Sequence, residues 1–348
     1  MKHLSKVLLL CLTVLTLITA CDKDDDPCVT SIWYQDQDGD GLGNSAVSQS
    51  ACDQPLGYVA NSDDADDTVA QEADVTAYGN ALSDQINNGD GNGIDNYFRN
   101  SGVVVDEVAN TYFAVNGVHP VNSGDYTSYY TKSIVEASLE TDEIVRIWPF
   151  DSNTLGREVD MEGLCFAEGA DVLYIGDEYN FIYELDLNSG VVTREWDLAD
   201  IGISTATDRG VEAITYLNVQ FFVDIQEEQR IYEHDLHLDA ADVGDANYQS
   251  VEVISSFAVE RSPSGLFATS DGSIYMVAFG AGNGDIYRYD TEGTLSCVIT
   301  LNSDIEIVRP DGIYIDSSGA YAYLADSQGA LNGLHGMYRV AWNTLSCQ

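Results

Sequence analysis

Positive charge is what this chain has least of. Lysine and arginine total 14 against 58 aspartates and glutamates, a formal net charge of −44. Such a surface repels phosphate backbones, so nucleic acid is excluded as a partner. Histidine is scarce too, and beyond the first twenty residues only His119, His234, His237 and His335 remain. His234 and His237 stand on what reads as a strand and its exit, so they do not share a face as a helical zinc pair would. No Gly-x-Ser-x-Gly elbow, P-loop or strand-borne Gly-x-Gly-x-x-Gly occurs, which removes common serine-hydrolase, phosphate and dinucleotide signatures. After residue 20 no apolar run is long enough to span a bilayer. Yet 45% of the residues are apolar and 21 are tyrosines, too many for a disordered acidic chain.

Residues 1–20, MKHLSKVLLLCLTVLTLITA, pair a basic start with an apolar run ending in small residues. That is a secretory leader, too short for a stable span. Without its two lysines, 12 basic residues face 58 acidic ones, a net charge of −46. A compact state carrying so much like charge repels itself unless cations bind, and calcium is the natural counter-ion outside a cell. Leu17-Ile18-Thr19-Ala20-Cys21 resembles a bacterial lipobox, which implies that Cys21 is acylated as the first mature residue; ordinary cleavage with a spare cysteine is the alternative. Asp22-Lys23-Asp24-Asp25-Asp26 resembles the acidic tag that directs some Gram-negative lipoproteins to the outside of the outer membrane. Together these imply a protein anchored to a membrane by lipid, with residues 21–30 as a polar tether.

The longest part of the chain repeats itself. Three runs at Glu162–Phe166, Val172–Gly176 and Phe181–Leu187, with a fourth at Val191–Leu198, read as short antiparallel strands joined by turns. The first strand recurs as GVEAITY at 210–216, PSGLFAT at 263–269 and PDGIYID at 310–316, with a weaker copy, NSGVVVD, at 100–106. The anchor positions 102, 163, 213, 265 and 312 are 61, 50, 52 and 47 residues apart. One such sheet cannot bury both of its apolar faces alone, so the spacing predicts radial repetition. The expected fold is therefore all-β, with residues 100–348 a β-propeller of about five four-stranded blades and six the alternative count. Such a ring is complete in one chain, which predicts a monomer. Residues 73–99 are a linker or supply a closing strand near Val75–Leu82, because the final repeat ends short at Thr344–Gln348.

Residues 31–72 have a different character, loop-rich and dense in aspartate. Asp36, Asp38 and Asp40 alternate ahead of Gly41, the pattern in which a calcium loop takes carboxylate oxygens from its first, third and fifth positions. Asn44 could add an oxygen, but Val47 holds the place of an EF-hand's last glutamate, so this is no EF-hand. Asp63, Asp64, Asp66 and Asp67 are the candidates for the missing ligands; a solvated acidic linker is the alternative. Cys28 and Cys52 flank the module and read as a disulfide, a closure worth about 3 kcal/mol in the chain-entropy model. Cys165 reads as a buried apolar residue, and Cys297 and Cys347, each after Thr-Leu-Ser, stay unassigned. The order Trp33-Tyr34, the Asp run, Cys52, Pro55-Leu56-Gly57-Tyr58-Val59 and the Asp pairs resembles thrombospondin type 3-like metal-binding repeats. It departs from them at Ala65, where a cysteine is usual.

First strands of propeller blades line the central channel, which brings Glu162, Glu212, Ser264 and Asp311 to one mouth. Three carboxylates there need raised pKa values or a hard cation such as calcium; hydrogen bonds to backbone donors at blade junctions are the alternative. Glu162-Gly163-Leu164, Gly176-Asp177-Glu178, Ile182–Asp186 and Arg309–Ile313 resemble the SdiA-regulated family and phytase-like esterase propellers. Glu162 and Pro310-Asp311-Gly312 are also similar to two metal positions of the gluconolactonase and regucalcin family, whose third ligand has no counterpart here. Two functions follow as expectations. One is a surface lipoprotein with a calcium-stabilised stalk, whose propeller binds an extracellular ligand or partner. The other is a divalent-metal-dependent hydrolase of phosphoesters, esters or lactones, acting at the channel mouth.

Overall fold

The structure is a computed structural model. It describes residues 30–37, 43–52, 54–60, 62, 75–78, 100–116, 133–150, 155, 157, 159–167, 169–203, 209–240, 243–278, 285–301, 310–326 and 336–342. Near the N-terminus, β1 (Ser31–Gln35), β2 (Asn44–Ala51) and β3 (Tyr58–Val59) form a three-stranded antiparallel sheet in the order β2-β1-β3. The module expected to be loop-rich thus has a sheet of its own. Trp33 pins it by donating its indole N–H to the Ala51 carbonyl at 3.2 Å.

The other described strands form five four-stranded antiparallel sheets. After β4 (Val75–Tyr78), the first sheet is β5 (Asn100–Asp106), β6 (Thr111–Asn116), β7 (Ser133–Ser138) and β8 (Ile144–Pro149). The second is β9 (Met161–Phe166), β10 (Val172–Asp177), β11 (Phe181–Asp186) and β12 (Val191–Asp197), with a 3₁₀ turn at Leu198–Ile201. The third is β13 (Val211–Leu217), β14 (Gln220–Ile225), β15 (Arg230–Asp235) and β16 (Glu252–Ala258). The fourth is β17 (Pro263–Ala268), β18 (Ile274–Ala278), β19 (Asp285–Tyr289) and β20 (Leu295–Thr300). The fifth combines β21 (Pro310–Ile315), β22 (Tyr321–Asp326) and β23 (Gly336–Ala341) with β4, whose Val75 pairs with Val340.

The first strands touch in the cycle β5, β9, β13, β17, β21 and back to β5, so the sheets close on themselves as a five-bladed β-propeller. Both faces of each blade are apolar because alternate residues of a strand point to opposite sides. On β5, Val104 packs towards the second blade, with Phe113, Trp148, Leu164 and Ile175, while Val103 and Val105 pack towards the fifth, with Tyr323 and Met337. Each of the five junctions between blades has its own buried cluster of this kind. The junction between first and last blades is also tied by Glu107, whose carboxylate accepts hydrogen bonds from the Tyr314 hydroxyl at 2.8 Å and the Ser317 amide at 2.6 Å. No helix among the described residues is long and apolar enough to cross a membrane.

The axis is tight enough to dictate residue type. A Cβ on Gly163 would lie 2.6 Å from Ala213 Cα, one on Gly265 would lie 2.8 Å from Gly312 Cα, and one on Gly312 would lie 3.0 Å from Gly102 Cα. A Cβ on Gly102 would strike the Glu162 carbonyl oxygen. The anchors of the repeat are therefore the places where neighbouring inner strands meet backbone to backbone. Gly163→Ala is expected to cost about 3 kcal/mol in chemical denaturation, because backbone must move to admit the methyl. Gly244→Ala, with nothing within 4 Å of the added atom, should change stability by less than about 0.5 kcal/mol.

Candidate cation site at the channel mouth

Just before each anchor the inner strand is bulged against its neighbour. The pairing skips between Asn100 and Gly102, Met161 and Gly163, Val211 and Ile214, Pro263 and Gly265, and Pro310 and Gly312. A bulge leaves the extra residue outside the ladder and re-aims its side chain. The skipped positions hold Ser101, Glu162, Ser264 and Asp311 and, on the third blade, Glu212 together with the anchor Ala213; the five polar residues are buried, between 1% and 8% exposed. The ring anticipated from Glu162, Glu212, Ser264 and Asp311 thus occupies equivalent bulges, with Ser101 as its fifth member. Ser264 is committed elsewhere, since its hydroxyl donates to the Pro310 carbonyl at 2.8 Å and joins the fourth blade to the fifth.

The second blade adds two more acids. Asp160 precedes β9, and Glu178 follows β10, where its N–H donates to the Asp160 carbonyl at 2.9 Å. Asp160, Glu162 and Glu178 each offer a carboxylate oxygen within 4.8 Å of the others, and all three are buried. Burial raises the Glu162 pKa well above the ordinary carboxylate range, helped by the charges of Asp160, Glu178 and Asp311 and opposed by a hydrogen bond from Ser101. Glu212 is pushed the same way, by burial first, then by the Glu162 charge and by a hydrogen bond with Glu178. Two carboxyl groups that share a hydrogen bond require one to hold the proton. Glu212 Oε1 is buried with no hydrogen-bond partner among the described residues.

Two further aspartates fix the backbone beneath these groups. Asp224 accepts the Glu212 and Ala213 amides at 3.1 and 2.7 Å, which sets the third bulge, and burial lifts its own pKa to about 8. Asp177 accepts the Asp160 and Tyr179 amides, both at 3.0 Å, and the Tyr183 hydroxyl at 2.8 Å; burial lifts it to about 6. Asp160, Glu178, Ser101 and Asp224 were missed in the sequence reading. A signal for Glu178 existed in Gly176-Asp177-Glu178, an acidic pair closing an apolar strand, while nothing in the repeat marks Ser101 or Asp224.

The stalk candidates are covered in part. Asp36 donates its amide to the Gly57 carbonyl at 3.0 Å, and Asn44 Oδ1 accepts the Ala46 amide at 2.8 Å. Asp38, Asp40, Asp63, Asp64, Asp66 and Asp67 lie outside the described residues, as do Cys21, Cys28 and Cys347. Cys52 and Cys297 are each disulfide-bonded. Cys165 is free and buried, and burial pushes its thiol up, so it serves as an apolar residue.

No family model and no curated protein matches this sequence. Among solved structures it is similar to glutaminyl cyclase of Myxococcus xanthus, at 14% identity and a TM-score of 0.47, covering 73% of this chain and 92% of that one. It is also similar to the Cps50 (Swd1) β-propeller domain of Myceliophteria thermophila, at 10% identity and a TM-score of 0.38, covering 70% and 96%. Values this low transfer no activity. The class defined by the sheets themselves is a five-bladed β-propeller with a buried acidic cluster at one end of its axis.

His234 belongs to the fold instead of a metal site. It is fully buried on β15 and stacks on Tyr232, with ring centroids 5.8 Å apart. Burial lowers its pKa to about 4, and neither ring nitrogen has a hydrogen-bond partner among the described residues. Between pH 6.5 and 4 the unfolded chain then binds the extra proton, so this contribution to stability is present above pH 6.5 and lost as pH falls. Denaturation of the parent and His234→Phe across that window should show the parent losing on the order of 3 kcal/mol relative to the variant. A flat difference would contradict a buried neutral imidazole.

Proposed function

We propose that the chain is a surface lipoprotein whose propeller binds an extracellular ligand, with calcium held both on the stalk and at the channel mouth. The observation that carries the axial part is the packing of Asp160, Glu162 and Glu178 into one buried group beside Glu212, which has an unpartnered oxygen. Every charge that raises the Glu162 and Glu212 pKa values is negative. A hard divalent ion offers such oxygens the counter-charge they lack, and calcium tolerates an irregular oxygen cage. Asp160, Glu162 and Glu178 would hold it, with Glu212 adjacent. On the stalk, Asp36, Asp38, Asp40 and Asn44 with Asp63, Asp64, Asp66 and Asp67 would form the second site. The leader, Cys21 and the acidic residues after it support anchoring in the outer membrane with the propeller facing outward.

One observation favours a second reading. The unpartnered oxygen of Glu212, next to the metal-ligand candidates, would serve as the general base of a metal-assisted hydrolase. The SdiA-regulated and phytase-like esterase resemblance points the same way, towards phosphoesters, esters or lactones.

Calorimetric titration of the full chain with calcium should resolve at least two classes of site. Glu162→Gln with Glu178→Gln should remove one class and leave the other, which Asp36→Asn should weaken. With calcium 100-fold above the dissociation constant, linkage gives about 2.7 kcal/mol, or about 5–10 °C in Tm. Binding unaffected by Glu162→Gln would sink the axial site. Turnover of a phosphoester, ester or lactone that Glu212→Gln abolishes, with calcium binding intact, would establish the hydrolase instead.

A further inference from the structure

We infer that the cleft between the third and fourth blades is a binding site for a neutral saccharide. The inference rests on the ligand-binding reading of the propeller and is independent of the axial cation. The cleft has a volume of about 430 Å³, within the range of small-ligand sites. Its wall follows one row across the third sheet, where Phe222 pairs with Glu233 and Glu233 with Ser255. Gln220 and Phe257 extend that wall, and Thr291 and Glu292 of the β19–β20 turn face it from the fourth blade.

The chemistry of this lining selects the ligand. Glu233, Glu292 and Gln220 are acceptors, Ser255 and Thr291 carry hydroxyls, and no lysine or arginine lines the cleft. An anionic ligand is therefore disfavoured, and a ligand rich in hydroxyl donors is favoured. Gln220 lines the cleft with an amide group, which can both donate to and accept from a ligand hydroxyl. Phe257, only partly buried, supplies the apolar surface that the C–H face of a sugar ring needs, backed by the buried Phe222 behind the wall. The Phe257 ring is already held, because it lies 5.8 Å from the Tyr289 ring, and a Cβ on Gly293 would run into it. A preformed wall lowers the ordering cost of binding.

The rim adds a separate observation. Asn218 and Val219 form the β13–β14 turn with φ of 51° and 66°, and Val219 is 64% exposed. A β-branched residue is strongly disfavoured in this region, where glycine or asparagine would be relaxed. Strain of that kind gathers at binding sites. Asn218 of this turn lines the cleft.

The test is a titration of the full chain, in calcium-containing buffer, with maltotriose, cellotriose, mannotriose and chitotriose, read by saturation-transfer NMR and calorimetry. At least one should bind with a millimolar or lower Kd. Gln220→Leu should weaken it at least tenfold, and Glu292→Ala, an exposed change that spares the fold, at least threefold. Val145→Ala on the first blade should leave it unchanged. Absence of binding by all four sugars, or binding indifferent to both cleft variants, overturns the inference. So does spermidine binding that the same two variants weaken, since the cleft would then be an organic-cation site. The axial cation is judged separately, by the calcium titration of Glu162→Gln.

Discussion

Five inner strands must approach one another backbone to backbone around a narrow axis, and most of this molecule follows from that. At Gly102, Gly163, Gly265 and Gly312 there is no room for a side chain, and at Ala213 there is room for a methyl next to Gly163. Close approach at the centre lets the blades bury both faces against their neighbours. It also leaves every blade dependent on the two beside it, so closure of the ring matters as much as the core of any one sheet. Closure is reinforced at the last junction by Glu107 reaching to Tyr314 and Ser317, and at the outer edge by β4 completing the fifth sheet.

The same crowding explains the acidic cluster. A bulge directly ahead of each anchor turns one side chain out of the ladder, and the tight ring brings those side chains within reach of one another. Where they are serines the result is ordinary hydrogen bonding, as with Ser264 and Pro310. Where they are Glu162 and Glu212, with Asp160 and Glu178 added by the second blade, like charges gather in a dry place. Burial acts on each group more strongly than any single neighbour does. Buried aspartates at Asp177 and Asp224 hold the backbone in this arrangement, each accepting two amides. The cluster is thus held on a backbone fixed by buried hydrogen bonds.

Away from the axis the geometry reverses. Adjacent sheets diverge with distance from the centre, and where the side chains between them are short or polar a cleft opens. Between the third and fourth blades that cleft is lined with acceptors and two phenylalanines, while other parts of the same junction are packed solid with Ile231, Leu266, Ile274 and Met276. One fold therefore has two kinds of environment between its blades, an acidic centre where strands converge and a mixed polar and apolar groove where they part.

Much of this was legible beforehand. A turn-punctuated strand pattern recurring about every fifty residues requires stacked sheets, because one small sheet exposes an apolar face whichever way it turns. Glu162, Glu212 and Asp311 could be placed together from their common position before the anchor. Ser101, at the same position in the weakest copy, was passed over because a serine carries no charge to notice. Asp160, Glu178 and Asp224 were hidden for a different reason: their roles depend on which loop lies under which bulge. Composition and periodicity on their own determined an acidic, all-β, radially repeated protein, since those properties are sums over the chain. The makeup of the cluster, the commitment of Ser264 and the cleft beside Phe257 were decided by tertiary structure, because each depends on contacts between residues of different blades.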